Sequence, residues 1–117
     1  MNSNGMVEGE TARYSDVIEA DPRFEVHPSG HTKKVLRYQS LTTGEAIALE
    51  KRKGPPVLYV AHERQAVSPH IFEGGRVVPS GRTGRNSNLQ AAFGEGPLFA
   101  IRPQHDVDFL AVLGCVL

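Results

Sequence analysis

The sequence predicts an α+β fold: an antiparallel β-meander sheet of four to six strands with two or three short helices on one face. Three observations carry this expectation. Between residues 23 and 62, short apolar–polar alternations are separated by Pro, Gly, Ser and Thr punctuation, and connectors this short join antiparallel neighbours rather than parallel crossovers. Helix-type patterns flank that block on both sides. A chain of 117 residues supports one modest core and not two.

Residues 1–10 are polar and contain Gly. They offer little apolar surface against the entropy of ordering, so a mobile tail is expected ahead of a single domain over 11–117. Ser15 is the expected N-cap of a first short helix, with Asp16 and Glu19 in its first turn and Val17 and Ile18 inward. Pro22 disfavours helix at Asp21 and ends it.

Four strands follow, Arg23–His27, Lys34–Ser40, Glu45–Lys51 and Val57–His62, separated by the turn residues Pro28-Ser29-Gly30, Thr42-Thr43-Gly44 and Arg52-Lys53-Gly54-Pro55-Pro56. In the second strand Lys34, Leu36 and Tyr38 fall on one face and Lys33, Val35, Arg37 and Gln39 on the other. In the third, Glu45, Ile47 and Leu49 oppose Ala46, Ala48 and Glu50. Residues 63–88 read as a long loop with a brief strand at Arg76–Val78. Ser87 or Asn88 would cap a short helix through Leu89–Phe93, with Gly94 just past its end. Pro97–Arg102 reads as another strand. Val107–Leu117 suits either element by its β-branched residues, and Asp106 as N-cap tips it to helix.

Charge is distributed unevenly although the formal net charge is zero. Residues 1–25 hold six carboxylates against two arginines, residues 26–94 ten basic residues against four acids, and residues 95–117 three acids against Arg102. A basic middle between acidic ends points to an anionic partner. No apolar run approaches the ~18 residues of a membrane span. Met1–Thr11 has neither a basic nor an apolar signal region, so no signal peptide is expected. Cys115 is the only cysteine, which excludes an intrachain disulfide and suggests a reducing, cytoplasmic location.

Two basic groups are candidates for phosphate contact. The first is the Pro79–Asn88 loop, where Gly81 and Gly84 would let backbone amides approach an anion and Arg82 and Arg85 supply forked donors. It lacks the Gly-Lys-Ser/Thr ending of a nucleotide-hydrolysing loop, and a solvated connector would have the same composition. The second is Lys51, Arg52 and Lys53, which with Lys33, Lys34 and Arg37 on the neighbouring strand would form a stripe able to neutralise several phosphates. Turn lysines also guard sheet edges against unwanted pairing. Tyr38 and Tyr59, the strand tyrosines, suit base stacking or core packing alike.

Catalytic signatures are thin. His27 and His31 flank a Pro-Ser-Gly turn rather than one helix face, and neither they nor the pair His62 and His70 have a carboxylate or thiol at ligand spacing. No metal and no cofactor are expected. Glu50 is followed directly by Lys51, so the acid and lysine of a common nuclease arrangement would point to opposite faces. Ser68 near His70 announces no catalytic geometry, Cys115 lies in an apolar segment as an inert core thiol would, and His62-Glu63-Arg64 is the best polar cluster for chemistry. No catalytic residue is assigned.

The sequence therefore favours a small, soluble, non-catalytic module that binds nucleic-acid phosphates through its basic middle segment. The alternative is a protein-binding accessory or inhibitor of phage or mobile-element type acting on a host protein machine. An enzyme ranks third, and the oligomeric state is not encoded legibly.

Overall fold

Period-two alternation over the middle of the chain folds as four consecutive strands, β1 (Phe24–Val26), β2 (Val35–Ser40), β3 (Ala46–Glu50) and β4 (Val57–Ala61). The computed structural model describes residues 9–61, 76–78, 89, 92–94 and 98–117. Two more strands, β5 (Arg76–Val78) and β6 (Leu98–Ile101), complete a six-stranded sheet of order β1-β2-β3-β4-β6-β5. Every neighbouring pair is antiparallel. The meander runs unbroken through β4, and β6 then inserts between β4 and β5.

Helices α1 (Gly9–Ala20) and α2 (Asp106–Val116) lie on one face of this sheet. Tyr14 and Ile18 of α1 and Phe109, Val112, Leu113 and Val116 of α2 share a core with Tyr38, Ile47, Leu49, Leu58, Val60, Phe99 and Ile101. The register explains the grouping, because Tyr38 pairs with Ile47, Leu49 with Leu58, Leu58 with Ile101 and Val60 with Phe99. Tyr14 and Phe109 stack with ring centroids 4.0 Å apart and lock the helices to each other.

The opposite face is buried too. Val35, Ala48, Val57, Tyr59, Leu98 and Ala100 form a second cluster with Leu89, and Phe93 packs against it. Leu89, Ala92 and Phe93 are helical and Gly94 takes φ +77 beyond them, as the pattern predicts; Ser87 and Asn88 lie outside the described residues. Small residues at Ala48 and Ala100 let this covering segment approach the strands closely.

Both helix starts differ from expectation. Helix α1 takes in Gly9 and Glu10, which read as tail, while residues 1–8 lie outside the described residues. Ser15 is therefore interior and donates its hydroxyl to the carbonyl of Ala12 at 3.0 Å. The inward spacing Thr11, Tyr14, Ile18 extends the helix a turn and a half upstream of the cap signal, since packing outweighs local capping. For α2 the N-cap is His105 rather than Asp106. Asp106 and Asp108 instead sit in the first turn, where negative charge suits the helix dipole. At the other end, the Thr43 hydroxyl donates to the Val116 carbonyl at 2.6 Å and satisfies one of the orphan acceptors of the last turn. Among the described residues no helix is long and apolar enough to cross a membrane.

Phe109→Ala should cost about 3–5 kcal/mol in urea unfolding, because it empties a buried stacked site. Leu110→Ala, one position on but 54% exposed, should stay within about 0.5 kcal/mol. Equal effects would show that α2 packs by another face.

Candidate functional site

Antiparallel register determines which basic residues meet. Val35 pairs with Glu50, so the next pair outward is Lys34 with Lys51, and the Lys51 amide donates to the Lys34 carbonyl at 2.9 Å. Lys33 precedes this pair, and Arg52 and Lys53 follow it into the β3–β4 turn. Five of the sequence-predicted site residues are thus gathered at one end of the sheet. Lys33, Lys34, Arg52 and Lys53 are exposed and Lys51 is half-buried.

Like charges directly across a strand pair repel, so Lys34 opposite Lys51 is a mildly destabilising arrangement that anion binding would relieve. Arg52 is partly committed: its Nη2 donates to Glu50 Oε1 at 3.0 Å, and the same oxygen accepts the Tyr59 hydroxyl at 2.6 Å. Glu50 raises the Arg52 pKa above the ordinary guanidinium value, chiefly through that hydrogen bond. Lys53 is positioned by a residue the sequence does not single out. Arg102, just beyond β6, donates Nη2 to the Lys53 carbonyl at 2.6 Å and Nε to the Pro55 carbonyl at 2.7 Å. Gly54 lies inside that clamp at φ +83, a conformation that favours glycine.

Arg37 departs from its predicted role. It is only 5% exposed, and its guanidinium donates Nη2 to the Ser29 carbonyl at 2.9 Å and Nε to the Gly30 carbonyl. Parity explains this: Arg37 pairs with Ala48 on the face opposite the one that Leu36 and Tyr38 share with the helices. Its charge is spent inside the protein, folding the β1–β2 loop. Arg82 and Arg85, together with the whole Pro79–Asn88 loop, lie outside the described residues, as do His62, Glu63, Arg64, Ser68 and His70.

The strand tyrosines resolve as core. Tyr38 is 1% and Tyr59 0% exposed, so neither offers a ring to a base. Burial, reinforced by the hydrogen bond to Glu19 at 2.7 Å, drives the Tyr38 phenol far above its ordinary pKa and keeps it a neutral donor. Glu50 and Lys51 do point apart, Glu50 reaching Tyr59 while Lys51 lies near His31. Among the described residues no three His, Cys, Asp or Glu side chains are grouped to hold a metal ion. Cys115 is half-buried against the helix-side core.

No protein-family model matches the chain, and no curated protein or solved structure matches it significantly. The site is therefore read from its own chemistry.

The two kinds of basic residue should separate cleanly in thermal unfolding. Arg37→Ala should lose on the order of 2–3 kcal/mol, because charge-assisted bonds to two loop carbonyls disappear. Lys34→Ala should be neutral or stabilising by a few tenths of a kcal/mol through relief of repulsion with Lys51. A large loss at Lys34 would contradict the assignment of its charge to solvent.

Proposed function

We propose that this protein is a non-catalytic nucleic-acid-binding module whose contact surface is the basic end of the sheet formed by Lys33, Lys34, Lys51, Arg52 and Lys53. One observation carries the reading: residues from two separate segments converge because Lys34 lies opposite Lys51 in the β2–β3 register. Several mobile cations on one surface displace condensed counterions from a phosphate backbone, which supplies affinity without sequence preference. The clamp of Arg102 and the burial of Arg37 support it further, since both hold the flanking turns in place while leaving the lysine ammonium groups outward. Arg82 and Arg85 are proposed as additional phosphate contacts on their composition alone.

A second reading, a protein-binding accessory or inhibitor of phage or mobile-element type directed at a host protein machine, is favoured by a different observation. Helix α2 is apolar on both sides: Phe109, Val112, Leu113 and Val116 are buried, while Val107 and Leu110 are 69% and 54% exposed. Exposed apolar side chains of this size mark contact surfaces when they cluster.

Fluorescence anisotropy against duplex oligonucleotides across a range of salt separates the two. Alanine at Lys34, Lys51 or Lys53 should weaken binding similarly for unrelated sequences and make the log–log salt slope shallower by about one unit each. Arg82→Ala and Arg85→Ala should act in the same way. Absence of binding at low salt would overturn the nucleic-acid reading and leave the protein-partner reading in its place.

A further inference from the structure

The loop between β1 and β2 delivers Lys33 and Lys34 to the basic end of the sheet, and its fold rests on two imidazoles used as acceptors. His31 Nδ1 accepts the Arg37 main-chain N–H at 2.9 Å. His27 Nδ1 accepts the Ser29 main-chain N–H at 3.1 Å and lies 2.8 Å from the Ser29 hydroxyl. A ring nitrogen that accepts carries no proton, so both histidines are neutral with the proton on Nε2. The Arg37 guanidinium completes the arrangement on the carbonyls of Ser29 and Gly30. Thr32 closes it, its amide donating to the Val35 carbonyl at 2.8 Å and its hydroxyl accepting the Val35 N–H at 3.0 Å.

We propose that the loop of residues 27–34 is an acid-released latch, closed while His27 and His31 are neutral and opened when each takes a proton on Nδ1. Protonation turns the acceptor into a donor that faces another N–H, so each imidazolium loses its main-chain partner and must leave its seat. The surroundings hold the protons off until the solution is acidic. Around His31 stand Glu19 of α1, whose carboxylate lies 4.0 Å from Nε2, Arg37 and the Tyr38 ring of β2, and Lys51 after β3. Around His27 stand Arg37 and Glu25 of β1. Burial is the largest influence on both and pushes them below the ordinary histidine value; Arg37 and Lys51 push the same way, and the acids Glu19 and Glu25 only partly oppose.

The sign follows from linkage. The unfolded chain takes up these protons near pH ~6.5 and the folded chain only at lower pH, so the stability these histidines contribute is complete above about pH 6.5 and is lost as pH falls through their folded values. The latch's bearing on phosphate binding rests on the function proposed above. Opening adds two positive charges beside Lys33 and Lys34, while the Lys51 amide still holds the Lys34 carbonyl at the sheet end, so acid should tighten binding to duplex DNA.

The test is NMR of the full chain between about pH 7.5 and pH 5. At the upper end both imidazole rings should show the Nε2–H tautomer in their nitrogen shifts, and the Ser29 and Arg37 amides should be protected from exchange. As pH falls below ~6.5 toward pH 5 those two amides should lose protection, by up to about tenfold per pH unit for one linked proton, while Ile47 and Leu58 in the sheet stay protected. His31→Asn, which keeps an acceptor at the Nδ1 position without a proton to gain, should leave the Arg37 amide protected across the range. An Nδ1–H tautomer at neutral pH, or protection at Ser29 and Arg37 that does not change with pH, would overturn the latch whether or not the variant folds. Anisotropy with duplex DNA at both ends of the range reads the linked claim separately. No binding at any pH overturns the proposed function and leaves the latch to the amide data, whereas binding indifferent to pH, with the amides released, overturns the coupling alone.

Discussion

The Arg37 guanidinium is held inside the protein by backbone carbonyls of Ser29 and Gly30, and the end of the sheet that bears the candidate site is arranged around it. Burying a charge is tolerable only when its hydrogen bonds are met, so the loop must fold back over β2 to present those oxygens. That fold brings His27 and His31 within reach of main-chain amides, turns the chain at Gly30 with φ +78, and returns it as Lys33 and Lys34 alongside Lys51. One internal cation thus organises a set of external ones. The consequence is a division of labour among residues of the same charge: Arg37 and Arg102 hold backbone, and the lysines face water.

Burial on both faces of the sheet constrains the rest. The helix side takes large side chains, Tyr38, Ile47, Leu49, Leu58 and Phe99, whereas the far side combines Ala48 and Ala100 with Tyr59 beneath Leu89 and Phe93. A one-residue slip of β2 against β3 would carry the β2 side chains to the other face, placing Arg37 under the helices and Tyr38 under the opposite cover. The register that brings Lys34 opposite Lys51 is therefore fixed by the core and not by the lysines, which repel each other.

Much of this is legible in the sequence, for identifiable reasons. Strand positions follow from alternation and turn residues, and the face assignments of residues 35–38 in β2 and 47–50 in β3 hold. The brief strand at Arg76–Val78 and the terminal helix are also read from local pattern. Local pattern fails where distant packing decides. Ser15 carries a strong cap signal, but Tyr14 stacking on Phe109 draws the helix start upstream to Gly9. Arg37 shares composition with its basic neighbours, and only the loop carbonyls it meets reveal it as internal. Arg102 is invisible as a positioning residue because its place beside the β3–β4 turn depends on β6 pairing with β4, a non-sequential neighbour that no local rule specifies. Tyr38 and Tyr59 likewise needed the sheet order before stacking on bases gave way to core packing.

The separation of an internal arginine from external lysines is most directly read in the arginine Nε–H resonances of the protein. Exposed guanidinium protons exchange rapidly with water, whereas one held on buried carbonyls does not. At neutral pH, Arg37 should give a distinct, slowly exchanging Nε–H signal that survives addition of duplex DNA unshifted, while the signals of the Lys34, Lys51 and Lys53 ammonium groups move. An Arg37 signal averaged with solvent, or one that shifts with DNA alongside the lysines, would contradict the arrangement on which the rest is built.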